Sequence, residues 1–265
     1  MISRQLVAFN TATQSENKIH DDDTAQRFGF TGGLVPGVEV YGYLSWGPVR
    51  TWGTDWLTRG TLEARFTKPA YDGETVTVEF DEETGECRLR DPAGAVVSTG
   101  QASLPESAPE PPDPSRYPTD ELLGEKPAAA PESLAAGRVL GSYVADFPDE
   151  AAETYLDDVR EELDLYADKG IAHPGWILRL ANRVLVENVV LGPWIHVGSK
   201  VQNYGLVTKG AHLVARGTVG REYERSGHRF TELDLAVFAE DVLVATITHT
   251  AIYLPRQVTE ASADG

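Results

Sequence analysis

A histidine, a glycine-rich turn and an apolar run follow one another closely near the start of this chain. Residues 17–45 read NKIHDDDTAQRFGFTGGLVPGVEVYGYLS, with His20 in the polar setting Asn17-Lys18-Ile19-His20. Imidazole has the unperturbed pKa closest to neutrality, so it can take and return a proton. An acidic, helix-compatible run, Asp21 to Arg27, comes next. The glycine-rich turn from Gly29 to Gly37, Gly33 included, then leads into the apolar residues 38–44. A turn of this kind feeding a helix aims backbone N–H groups at an anion or a developing oxyanion. One stretch therefore offers a base and an oxyanion site. A plainer reading stands beside it: His20 as a capping or core residue, and the glycines as a tight turn.

The elements that must hold these groups follow from the rest of the chain. Its 265 residues suit one large domain or two small ones, and 41% hydrophobic content is enough for a core. The net charge of −18 argues against nucleic acid as a partner. It leaves room for a phosphorylated small molecule held by a few local arginines. The single cysteine, Cys87, excludes an internal disulfide and a cysteine-rich metal site, and fits a reducing compartment. The opening residues MISRQLVAFNTATQ lack the apolar core of a signal peptide. No apolar run approaches the ~20 residues of a membrane span. A soluble, cytoplasmic protein with no membrane partner is expected.

In chain order, residues 5–9 read as a strand. The segment after Gly37 is apolar on nearly every side, which predicts a helix buried all round, ended by Gly47-Pro48. Strand patterns follow at 61–67, 75–80, 87–90 and 95–104, separated by turn signals at Asp72-Gly73, Thr84-Gly85 and Asp91-Pro92. Half of the sixteen prolines then fall between Pro105 and Pro131, which predicts an extended surface linker crossing a face of the molecule. The second half repeats the first. It has a strand at 138–147, an acidic helix at 151–166, the turn Ala172-His173-Pro174-Gly175 and an apolar helix at 176–190. Strands follow at 198–207, 212–222, 229–238 and 242–253. One spacing places Phe28 on Tyr166, Gly37 on Gly175, Trp56 on Trp194, Gly60 on Gly198 and Thr61 on Ser199. A spacing one residue shorter places Gly73 on Gly210. This reads as an internal duplication. Residues 1–104 and 138–256 are then two copies of one unit, joined by a linker at 105–137 and followed by a tail at 257–265. The copies should lie side by side with their sheets continuous and their long helices on one side, and further association of whole chains is expected.

The pattern Asn17-x-Ile19-His20, then Phe28, then Leu34-Val35-Pro36-Gly37, then Phe66-Thr67-Lys68-Pro69-x-Tyr71-Asp72-Gly73-Glu74-x-Val76 resembles the MaoC-like, (R)-specific enoyl-CoA hydratases. The resemblance is good over residues 5–104 and weaker over 138–254. It implies an α+β fold, a tandem or double hot-dog, in which each repeat wraps a long central helix in an antiparallel sheet. It also implies hydration or dehydration of an acyl-thioester carried by CoA or an acyl-carrier protein, with no cofactor. By position it assigns acid/base work to His20, orientation to Asn17, the oxyanion amide to Gly37 and a supporting serine to Ser45. The family has an aspartate where this chain has Ser15, and Ser15 cannot act as an anionic base. Lys18 also replaces the family's proline. Loss of one of two acid/base groups costs roughly 10²–10⁴ in rate.

Asp21, Asp22 and Asp23 read more plainly as charges favouring a helix N-terminus. The second copy has Asp158 where His20 would recur, and no Asn-x-x-His box. His173 either faces the ligand beside the second glycine turn or caps the second helix. His196, His212, His228 and His249 read as ordinary sheet or surface residues, with no metal-ligand spacing among them. Arg179 and Asn182 either line the cleft or bond each other. The alternatives to a lyase are a non-catalytic acyl-thioester-binding protein or partner subunit, and a thioesterase.

Overall fold

The computed structural model describes residues 1–12, 17–20, 25–26 and 30–257. The first half contains β1 (Ile2–Val7), helix α1 (Gly37–Arg59), β2 (Thr61–Phe66), β3 (Thr75–Phe80), β4 (Glu86–Arg90) and β5 (Val96–Ser103). The second contains β6 (Val139–Asp146), helices α2 (Asp149–Asp158), α3 (Leu165–Lys169) and α4 (Pro174–Asn188), then β7 (Ile195–Asn203), β8 (His212–Arg225), β9 (His228–Ala239) and β10 (Val242–Leu254). One ten-stranded sheet runs β1-β3-β4-β5-β2-β7-β10-β9-β8-β6. Read from each edge inward, both halves have the same strand order. They meet at β2 and β7, which pair antiparallel with Leu62 opposite Val201 and Ala64 opposite Ser199. The seam pairs two strands that would otherwise be open edges.

The sheet packs against the helices through alternate residues of its strands. In β3 and β4 every second residue, Val76, Val78, Phe80, Cys87 and Leu89, is fully buried against α1. The turns that set register use positive φ where the hairpin demands it. Ser226-Gly227 joins β8 to β9, and Glu240-Asp241 joins β9 to β10.

Helix α1 does not stop at Gly47-Pro48. It continues to Arg59 with Pro48 inside and a break at Gly53, whose φ is 59° and ψ −143°. An interior proline costs about 3 kcal/mol, but every residue from Val38 to Val49 is buried here, so packing outweighs the lost bond. Gly47 is required by that packing: a β-carbon there would come within 2.3 Å of the Phe80 side chain. The acidic helix of the second half is likewise two pieces. The chain leaves helical geometry at Arg160, φ 54°, and thereby turns Glu161 inward. The proline-rich stretch is irregular and lies on the second half's sheet, where Tyr117 packs against Ala236, Phe238 and Leu243. No helix among the described residues is long and apolar enough to cross a membrane.

Candidate functional site at the seam between the halves

Pro36 opens α1 with φ −57°, the angle its ring imposes, and makes no side-chain cap. Glu39 and Val40 both donate to Pro36 O, at 2.9 and 3.1 Å. The Gly37 and Val38 amides before them have no intrahelical acceptor and sit at the positive end of a 23-residue helix. Glycine at 37 is a steric necessity. A β-carbon would stand 2.7 Å from His196 Nδ1 and 3.0 Å from the Phe66 ring.

His20 ends a 3₁₀ turn, Lys18–His20. Its Nδ1 lies 2.8 Å from Leu34 O. A carbonyl only accepts, so Nδ1 carries the proton and Nε2 is left as a lone pair. Burial pushes the His20 pKa below its ordinary value, with the Leu34 bond acting the other way, so the ring is neutral at pH 7. Asn17 Nδ2 stands 3.4 Å from His20 Nε2. The same amide donates to Trp194 O at 3.0 Å, and Asn17 Oδ1 accepts from Trp194 N–H at 3.3 Å. Asn17 thus clasps the backbone of the opposite half while it orders the histidine turn.

His20, Asn17 and Gly37 line one cavity of about 290 Å³. Val35, Val40, Phe66 and Pro69 supply its apolar wall from the first half. Asn182, Trp194, His196 and Ile252 close it from the second, with Lys68 exposed at the rim. Asn182 presents a buried Oδ1 that has no hydrogen-bond partner among the described residues. Arg179 does not bond Asn182. It pairs with the buried Glu39 at 2.6 Å and lies over the Tyr155 ring. Among the described lining residues there is no carboxylate.

Three expected site residues lie elsewhere. Ser45 is fully buried and donates to Gly42 O at 2.8 Å, within its own helix; it sits too far along α1 to face the cavity at the helix start. Gly33 is tied into the turn, where its carbonyl accepts from Asp72 N–H at 3.4 Å. His173 caps α4: its Nδ1 accepts from Gly175 N–H at 3.1 Å, and its Nε2 meets Glu161 at 3.1 Å. The amide matching Gly37 in the second half is therefore already occupied by a side chain. Burial works against the Glu161 carboxylate, yet His173 and Arg4 together hold its pKa below the usual range. Ser15 and the acids at 21–23 lie outside the described residues.

His196, which reads in sequence as an ordinary sheet residue, is 6% exposed and lines the cavity. Its ring meets Phe66 edge-on at 4.8 Å and His249 at 4.1 Å. No local signal marks it. Only the pairing of β7 with β2 brings it beside Gly37.

No family model and no curated protein matches the chain. Solved structures do. A MaoC-like dehydratase superposes with a TM-score of 0.62 at 12% identity, covering 96% of this chain and 98% of its own. A putative MaoC domain protein dehydratase from Chloroflexus aurantiacus J-10-fl gives 0.56 at 11% identity, covering 96% of each chain. A conserved hypothetical protein from Mycobacterium tuberculosis, described as having a double hot-dog fold, gives 0.57 at 16% identity and covers 95% of this chain and 96% of its own. The chain has the double hot-dog fold, α+β, with both repeats present.

Proposed function

We propose that the chain hydrates, and in reverse dehydrates, an acyl-thioester at the cavity between its halves. The observation that carries this reading is the pairing of a tautomer-fixed, neutral His20 with the Gly37 amide at the start of α1, both lining one largely apolar cavity. The thioester oxygen would accept from the Gly37 N–H, where the helix end favours developing negative charge. His20 Nε2 would take a proton from water as its oxygen bonds to C3. The C2=C3 electron pair moves onto the thioester oxygen, and the imidazolium returns the proton to C2. Asn17 keeps the His20 turn fixed against Trp194. Lys68 at the rim suits the phosphates of CoA or a carrier-protein arm.

Likeness to MaoC-like dehydratases supports the fold that such chemistry uses. The test is loss of enoyl absorbance with crotonyl-CoA and longer enoyl-CoAs. His20→Ala should lower kcat by roughly 10²–10⁴. Wild-type turnover no greater than that of His20→Ala across the panel excludes a hydratase. A non-catalytic thioester-binding role is the second reading, and Ser15, standing where the family has an aspartate, favours it. It requires saturable CoA-ester binding without turnover.

A further inference from the structure

His196 brings a second imidazole to the cavity wall. Its Nε2 lies 3.1 Å from Gly198 O and 2.8 Å from Ser199 Oγ. The carbonyl can only accept, so Nε2 carries the proton and Nδ1 is a bare lone pair. That Nδ1 is buried with no hydrogen-bond partner among the described residues, and it stands 2.7 Å from where a β-carbon on Gly37 would be. A buried acceptor left unpaired is costly, and one in a cavity wall calls for a partner that the protein itself does not supply. The ring cannot swing away. Ser199 Oγ holds Nε2 on one side and reaches His249 Nδ1 at 3.2 Å on the other. The His249 and Phe66 rings pack against it as well. Burial, then His249, push the His196 pKa well below its ordinary value, so Nδ1 stays an acceptor throughout the physiological range.

We propose that His196 Nδ1 accepts the hydrogen of the 3-hydroxyl of a 3-hydroxyacyl thioester, and in the hydration direction the second hydrogen of the reacting water. The inference deepens the thioester reading and rests on it. A water has two hydrogens. His20 Nε2 takes the one that is transferred, and His196 Nδ1 holds the one that is not, so that an oxygen lone pair points at C3. No proton passes to His196. The O–C3 bond forms, the C2=C3 pair moves to the thioester oxygen, and the His20-bound proton returns to C2. The hydrogen held by His196 remains on the product as its hydroxyl hydrogen. The first half then supplies the acid/base and the second half the acceptor that orients the nucleophile.

Two substitutions separate this role from a structural one. His196→Asn keeps an amide oxygen near the Nδ1 position and gives up the contacts of Nε2. His196→Gln keeps a polar group toward Gly198 and Ser199 and gives up the acceptor in the cavity. The measurements are dissociation constants for 3-hydroxybutyryl-CoA and butyryl-CoA, with kcat and KM on crotonyl-CoA. The wild type should bind the hydroxy compound roughly tenfold tighter, as one hydrogen bond allows. His196→Asn should keep that preference. His196→Gln should erase it and lower kcat about tenfold or more with KM little changed. Equal behaviour of the two variants, or retention by Gln and loss by Asn, overturns the proposal. A wild type without preference overturns it too. If the preference is present but crotonyl-CoA is not turned over, the hydratase reading fails and the acceptor role of His196 stands. Should either variant fail to fold, 15N NMR of the histidine-labelled wild type decides. The unprotonated His196 Nδ1 signal should move with 3-hydroxybutyryl-CoA and not with butyryl-CoA, and a signal indifferent to both overturns the proposal.

Discussion

At the scale of single residues, two imidazoles differ in which nitrogen is left without a proton. A backbone carbonyl settles each: Leu34 O for His20 and Gly198 O for His196. Because burial lowers the His20 pKa, the neutral ring should persist below the ordinary histidine value. The acid limb of kcat/KM should therefore fall below pH 6.5, and a limb above that value would show His20 is not the group titrating. Gly37→Ala should abolish turnover because its methyl would meet His196 and Phe66; unaltered kinetics would mean that the cavity tolerates the methyl and the close approach is not required. That His20 and Gly37 come together at one cavity was legible in the sequence, because the histidine box and the glycine turn are local patterns. The place of His196 in the cavity wall was not, since it arises from strands paired across the seam. Ser45 illustrates the opposite error. Its position in a motif says nothing about which way a helical serine turns, and here it turns to its own backbone.

Among the elements, the long helices are joined by charge as well as packing. Glu39 on α1 is 1% exposed and accepts from Arg179 on α4 and from Thr11. Arg179→Ala would strand a buried carboxylate, a change that typically costs about 3–5 kcal/mol. The expected result is a clear loss of denaturant midpoint, partly restored by adding Glu39→Gln; a midpoint within error of wild type would make the pair ornamental. Alternation and turn residues made most strands legible. The helix ends were not. Gly47-Pro48 is a fair stop signal for an isolated helix, but burial of the whole segment overrides it. The acidic helix breaks at Arg160, and beyond the break Glu161 meets Arg4 and His173, an arrangement that no helical periodicity records.

For the molecule as a whole, the seam sets both assembly and acid tolerance. Residues 1–104 alone would expose β2, so that fragment should be dimeric or insoluble; a stable monomer by light scattering would contradict this. His249 lies fully buried beside the seam with its pKa pushed down to about 3 by burial. The unfolded chain protonates this histidine near pH 6.5 while the folded one does not, so unfolded chains bind more protons between those values. Stability should be complete above about pH 6.5 and decline as pH falls towards 3, by roughly 5 kcal/mol at most from this group. His249→Phe should flatten that decline in urea titrations, and an unchanged slope would assign it to other groups. The duplication was legible from residues recurring at two spacings one residue apart, but not the difference between its two helix starts. That difference has a consequence for stoichiometry. His173 fills in the second half the position that a ligand oxygen would take in the first, so a chain with two matching helix starts should titrate as univalent. Calorimetry with a CoA ester should saturate at one equivalent per chain, and two equivalents would mean that His173 yields its place.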